Sequence, residues 1–574
     1  MKKKIFTLAT IATLGALAAF VPSRAHAGGF EVPDNGTEAL GRGGAFTAKA
    51  DDATALQYNV AGFARQRGTR LLLNANLTLD DYSFQRAGTF PDNASDARTP
   101  WGGAFYPKVK NQGGPFFAPF IGASTDFGYF DRFTIAAGVF GPSGVGNRTY
   151  PLGVSGAPSA ARYDVVQAKT FVALPTLAFA YRVTDEIDLG VGLHAVIASF
   201  DLTSVSSTDI SRALCPTVEY VGCDAQTRVQ TTAFTYAGSL GAMWHPSPSF
   251  AMGLNVRSPI TIDSEGTANA SAPAVTPTTV SPAPAQFHTK LPLVVRGGAR
   301  VVFWEEAEGA DGAKRAFERA DLEVDATYEA WSSAQGDGSR VDIPQLNLFK
   351  DIHTTIAHKF GDTYSVRLGG QYNFEALGSV MSLRAGGYYD ATATSAAYTR
   401  MDFNTLDKYA ATVGVGFHVG GLRFNVAYAE VFSPERIVTD GQVRPINGSQ
   451  KGQPIDGAGK LLPAVNNGVY DAHMRIVSFG MQVVFDEVLG NKRNASAPPV
   501  TEPRVTEPRH DDVEHGEPEE EEAKAAPAPR DPRAAKPMIS ALPKRETRGE
   551  SSEQPSATPA AKPAAKPKKS DWND

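Results

Sequence analysis

The sequence alternates with a period of two over its last patterned stretch, Arg475 to Phe485. Val477, Phe479, Met481, Val483 and Phe485 share one face, and Ser478, Gly480 and Gln482 share the other. One greasy face opposite a small or polar face is the pattern of a strand between lipid and a polar lumen. The same pattern recurs upstream. Ile187, Leu189, Val191, Leu193 and Ile197 oppose Asp188, Gly190, Gly192 and His194. Tyr364, Val366, Leu368, Tyr372 and Phe374 oppose Ser365, Arg367, Gln371 and Asn373, and Tyr409, Val413, Val415, Phe417 and Val419 oppose Thr412, Gly414, Gly416 and His418.

From Thr69 onward the alternation predicts about fourteen strands: 69–84, 115–126, 131–150, 164–183, 186–204, 229–245, 249–264, 288–304, 319–333, 350–375, 380–391, 406–419, 421–433 and 473–485. Short turns (Thr184 to Glu186, His245 to Pro248, Gly420-Gly421) alternate with long polar connections at 205–229, 264–288, 334–348 and 434–471. Short turns at one end and long loops at the other suit an outer-membrane barrel. The expected fold class is all-β: a transmembrane antiparallel β-barrel over 68–486, with a small N-terminal plug over 28–67 and a disordered C-terminal tail over 487–574. The plug region is rich in Gly and Ala and predicts one or two short helices. The tail is rich in Pro, Ala, Glu and Lys and has too little apolar content to fold alone. With an even strand count it would hang in the periplasm.

The 574 residues are enough for one large barrel, and 55 glycines with 10% aromatics suit tight turns and aromatic girdles. After the start no apolar run reaches the roughly 18 residues that a membrane helix needs. Lys2-Lys3-Lys4, the apolar stretch Ile5 to Val21 and Ala25-His26-Ala27 read as a signal peptide over 1–27, cleaved before Gly28. An uncleaved anchor is the alternative. The net charge of −6 argues against a nucleic-acid partner. Cys215 and Cys223, eight apart in a polar stretch, read as a disulfide within one loop or as two free thiols. Enzyme signatures are absent. There is no Gly-x-Ser-x-Gly elbow, and Gly457 to Lys460 lacks the upstream glycine of a phosphate loop. Gly190-Val-Gly192 and Gly414-Val-Gly416 fall on alternating strands and read as barrel glycines. His510 and His515 among acidic residues are a weak metal pattern, and neither a metal site nor a cofactor is expected.

Four segments, in order, carry a resemblance. These are Gly28-Gly29-Phe30; Leu40-Gly41-Arg42 with Ala50 to Ala53 and Asn59-Val60-Ala61-Gly62; Thr170 to Leu193; and Leu291-Pro292 through Tyr328 to Ser332. Their order and spacing resemble the FadL/TodX (OMPP1) outer-membrane hydrophobic-compound transporters over about 28–485. The resemblance implies a monomeric fourteen-stranded barrel closed by an N-terminal plug, in the outer membrane of a Gram-negative bacterium. The ligand, a long-chain fatty acid or an aromatic hydrocarbon, is caught between extracellular loops and passed to an inner pocket. The N-terminus then shifts, and the ligand leaves sideways beside the third strand, passively and without a cofactor. Outer-membrane lipid is a further partner. So is the barrel assembly machinery, because the ending at Phe485 is similar to a closing-strand signal.

The residues bear on that scheme unevenly. Phe140-Gly141-Pro142 interrupts the third strand, because proline removes a ladder donor. Gly141 and Pro142 therefore mark either a lateral gap or an ordinary bulge. In the hatch Asn59-Val60-Ala61, Val60 stands where the family usually has proline, so φ is not fixed there. Phe30 reads as a ligand contact or a packing anchor. Ser204 falls where fatty-acid members carry arginine. Arg340 is the nearest second basic candidate, either a carboxylate partner or a solvated loop charge. The weakened basic site favours an uncharged ligand. Two other functions compete: a general diffusion porin, and a structural barrel whose tail contacts peptidoglycan or a periplasmic partner.

Overall fold

The computed structural model describes residues 35–141, 147–208, 214–308, 314–346, 349–376 and 379–489. All of them belong to one unit, Met1–Val505. The signal peptide, Phe30, Pro142, both tail histidines and nearly all of the tail lie outside the described residues.

Fourteen antiparallel strands form a closed barrel. The first six are Arg70–Arg86, Phe116–Thr125, Phe133–Phe140, Gln167–Arg182, Ile187–Ser207 and Asp224–Ser247. The seventh is in two pieces, Phe250–Arg257 and Ile260–Ala270, and so is the eighth, Ala283–Leu291 and Val294–Glu308. The remaining six are Lys314–Glu329, Thr363–Ala376, Ser379–Asp390, Lys408–Val419, Leu422–Val438 and Gly468–Val484. Closure is continuous: the first strand pairs with the fourteenth from Arg70↔Val484 to Arg86↔Gly468. A closed sheet has no unpaired edge to satisfy in lipid. The alternation behaves as the sequence requires. Ile197, Phe479, Val413 and Leu368 are exposed on the outer face, while Ser478, His194, Thr412 and Arg367 are buried inside. No helix is long and apolar enough to cross a membrane among the described residues.

Prolines set where the wall bends. Pro259 separates the two pieces of the seventh strand and Pro292 those of the eighth. Each removes a ladder donor. Below the bends these strands pair with each other, Arg257↔Val294 to Phe250↔Val301, and the eighth also pairs with the ninth. Above them the upper eighth strand leaves the ninth and pairs instead with Ser339–Leu346, in the register Phe287↔Val341. Ser339–Leu346 and Phe349–Ile356 form a hairpin at the long-loop end.

That hairpin corrects two sequence-based expectations. The single strand expected over 350–375 is two elements, Phe349–Ile356 in the hairpin and Thr363–Ala376 in the barrel. Lys359 has a left-handed backbone between them, at φ 49°. The polar connection expected at 334–348 contains a strand, because Val341 and Ile343 face inward between polar neighbours. The third strand is also shorter than 131–150: it stops at Phe140, and Asn147–Thr149 resumes as a separate piece against the fourth strand.

Residues 35–67 lie inside the barrel. They form two helices, Thr37–Gly41 and Ala55–Tyr58, and a 3₁₀ turn, Val60–Arg65. Leu40 packs among Ala427, Ala429 and Ile476 on one wall. On the other, Leu56, Val60 and Phe63 join a core with Phe140, Leu174, Ala178 and Val196.

Candidate functional site

The internal segment is held by charge as well as by packing. Ninth-strand residues Asp321, Glu323 and Asp325 share the inward face. Arg42, fully buried, donates to Asp321 at 2.5 Å and to Glu323 at 3.2 Å. Backbone N–H groups of Phe46 and Thr47 donate to Asp325, and those of Ala48 and Lys49 to Glu323, at 2.7–3.3 Å. Arg300 adds a second cation to Asp321 at 2.7 Å. Across the lumen, Arg384 meets Glu38 at 3.0 Å, and the Thr37 backbone N–H donates to Asn74 at 2.8 Å. Arg42 also explains two wall glycines: neither Gly369 nor Gly386 has room for a Cβ, because the Arg42 backbone runs against them.

The hatch residues sit at the head of the 3₁₀ turn. Asn59 accepts from the Ala61 N–H at 3.1 Å and caps the turn. Its amide donates to Thr47 O at 3.0 Å and to Ala242 O on the sixth strand at 3.1 Å. Val60 and Ala61 lie against Gly190 of the fifth strand, which also leaves no space for a side chain. Asn59 thus supplies the fixation that proline would give by its ring.

At the long-loop end is a cavity of about 890 Å³. The hairpin contributes Val341, Ile343, Leu346 and Ile352, and the fourth to seventh strands contribute Ala168, Leu202, Val229 and Ala270. Ser204 lines it as well. A smaller niche of about 40 Å³ adjoins it, sharing Ala168, Leu202, Ile356 and Asp402. The cations at the cavity have partners. Arg400 is 2.7 Å from Asp164, and Arg444 donates to the Leu462 carbonyl. The Asp402 carboxylate accepts from His358 Nε2 at 2.8 Å and from the Phe403 N–H at 2.9 Å. Arg340 is on the hairpin, 58% exposed, and its guanidinium pairs with Asp342 at 2.6 Å. It is not among the residues lining the cavity.

Among the described residues the ladders on both sides of the third strand are interrupted. The second–third ladder runs only from Thr125↔Ile135 to Ile121↔Val139, and the third–fourth ladder stops at Phe140↔Leu174. Among the described residues, Phe116–Phe120 therefore has ladder partners only on its first-strand side, and Thr170–Ala173 only on its fifth-strand side. Gly141 stands at the break. The Asn35 amide donates to its carbonyl at 2.7 Å, so the internal segment touches the interruption directly. Val172, in the stretch of the fourth strand whose described ladder partners are only on the fifth strand, also lines the niche. Outside, an apolar groove of about 820 Å³ lies next to the break, between Ile121, Val139, Leu177 and Leu193. Cys215 and Cys223 form a disulfide in the loop after the fifth strand. Their cluster packs with Tyr220, separate from the cavity lining.

These features belong to a recognisable class: a closed outer-membrane barrel with an occupied lumen and an apolar outer cavity. Residues 18–458 match the family "Outer membrane protein transport protein (OMPP1/FadL/TodX)". The chain is a member of that family, whose members are transporters rather than enzymes and carry hydrophobic small molecules through an outer-membrane barrel. Its fold is similar to that of a Pseudomonas aeruginosa FadL homologue, at 18% identity and a TM-score of 0.62, covering 80% of this chain and 100% of that one. It is also similar to the Ralstonia pickettii toluene transporter TbuX (16% identity, TM-score 0.54, 79% and 100% covered). For the P. putida toluene transporter TodX the values are 14% identity, TM-score 0.55, and 79% and 99% covered. Compared by sequence with curated proteins, the chain has no significant match.

Proposed function

We propose that this barrel takes up uncharged hydrophobic small molecules by passive diffusion, with residues 35–67 acting as a plug and the break beside the third strand as a lateral exit. The observation that carries the ligand class is the outer cavity: Leu202, Val229, Ile343, Leu346 and Ile352 line it beside neutral Ser and Thr side chains, and its cations Arg400 and Arg444 are engaged by protein acceptors. A carboxylate entering it would have to displace Asp164 from Arg400. That displacement exchanges one ion pair for another and gains little. An uncharged molecule gains from burial alone, at about 25 cal/mol per Å².

The exit reading is supported by three features on the third and fourth strands: the niche at Val172, the break at Gly141, and the apolar groove at Val139 and Leu177. In this reading Phe30, outside the described residues, is a ligand contact or a packing anchor of the plug.

A long-chain fatty acid and its methyl ester, compared in whole-cell uptake, test the ligand class. The expected result is equal uptake, or faster uptake of the ester. A strict requirement for the carboxylate would refute this reading and return Arg340 to the role of carboxylate partner.

A further inference from the structure

The niche behind the outer cavity is not explained by apolar burial. Val172, Phe200 and Phe287 line it, yet so do the buried polar side chains Thr170, His358, Gln335 and Ser339, of which Gln335 and Ser339 hydrogen-bond each other. His358 is 3% exposed, with its ring 4.8 Å from Phe360 and 5.7 Å from Phe403. Its Nε2 is 2.8 Å from Asp402 Oδ2. The Asp402 carboxylate also accepts from the Phe403 N–H at 2.9 Å and lies 3.7 Å from Arg400, so it is the acceptor here and Nε2 donates. In the neutral imidazole Nδ1 then carries a lone pair. Neither His358 Nδ1 nor Thr170 Oγ1 has a hydrogen-bond partner among the described residues. Buried polar groups are nearly always satisfied, so two such atoms lining one niche point to a missing partner.

We infer that the niche seats the hydroxyl group of a hydrophobic ligand, a phenol or a simple alcohol, donating to His358 Nδ1 and accepting from Thr170 Oγ1. The inference rests on the hydrophobic-transporter reading and narrows it. A hydroxyl has both functions that the pair requires. A carboxylate offers only acceptors and would face the Asp402 carboxylate. An ether or a methyl group has no proton to give. The niche, at about 40 Å³, takes a head group and not a ring, so the ligand body remains in the adjoining 890 Å³ cavity.

Calorimetric binding of p-cresol, p-xylene and 4-methylanisole to the full mature chain in detergent tests this. The three probes share a ring and differ in the hydroxyl, which is absent in one and capped in another. The wild type should bind p-cresol at least roughly tenfold more tightly than either analogue, as sites built around a hydroxyl do. Thr170→Val and His358→Phe should each abolish that preference while leaving p-xylene binding within about twofold. Equal binding of all three by the wild type would overturn the inference alone and leave a resident water as the occupant. This comparison needs no variant and stays decisive if His358→Phe fails to fold. A preference that survives both substitutions would also overturn it. Failure of all three to bind would sink the transporter reading together with it.

Discussion

Replacing Arg42 with alanine is expected to unplug the barrel. The guanidinium is fully buried between Asp321 and Glu323 and is the only side chain of residues 35–67 described as pairing with either. Removing one partner of a buried ion pair costs about 3–5 kcal/mol, and here it leaves Asp321 with Arg300 and Glu323 with backbone donors alone. Displacement of the internal segment relieves that cost by letting water reach the carboxylates. Arg42→Ala should therefore open an ion-conducting path in planar bilayers where the wild-type protein is silent. It should also lower the temperature at which the N-terminal segment becomes protease-sensitive, while the closed ladder between the first and fourteenth strands keeps the barrel heat-modifiable on gels. A silent Arg42→Ala channel with unchanged protease resistance would mean that packing of Leu40, Leu56 and Phe63 suffices to hold the segment.

The second large effect is expected at the wall. Replacing Gly141 and Pro142 together with valine should reduce hydrophobic uptake by at least roughly tenfold while leaving barrel assembly intact. A Cβ at Gly141 would come within 2.8 Å of the Val172 carbonyl oxygen, so the chain cannot keep its present course. Valine at 142 restores a ladder donor and favours extended pairing. The regular course open to it continues the third strand past Phe140, between Phe116–Phe120 and Thr170–Ala173. That closes the break and moves the carbonyl that Asn35 holds. Unchanged uptake by a well-folded double variant would make the break an ordinary bulge and remove the lateral exit.

The barrel itself was legible in the sequence because lipid on one side imposes a strict period of two. Ile187 to Ile197 and Val477 to Phe485 needed no tertiary information to be assigned to faces. The interruption at Gly141-Pro142 was legible too, from proline chemistry alone. What the interruption touches was not, since Asn35 lies 106 residues away. The acidic row Asp321, Glu323 and Asp325 had a readable signal, carboxylates at alternate positions opposite Leu322 and Val324. Lumen-facing charge is ordinary in a barrel, and the row acquires meaning only with Arg42 inside. Val60 raised the right question about the hatch. The answer depends on Ala242, on a distant strand. For Arg340 the sequence left two readings, a carboxylate partner or a loop charge, and the fold adds that it pairs with Asp342 on the exposed hairpin. The cavity could not be read in advance, because it is assembled from strands and loops spread from Tyr163 to Gly452. The split of 350–375 was hidden for a related reason, as alternation continues through the hairpin strand and the barrel strand alike.

Uptake of labelled oleate and of labelled toluene by a Gram-negative host lacking its own hydrophobic transporter, with and without this chain, tests the central claim most directly. The account predicts chain-dependent uptake, with toluene entering at least as readily as oleate, and loss of that uptake in the Gly141 and Pro142 double variant. Entry of neither compound, with small sugars leaking in instead, would contradict it and make the barrel a diffusion pore.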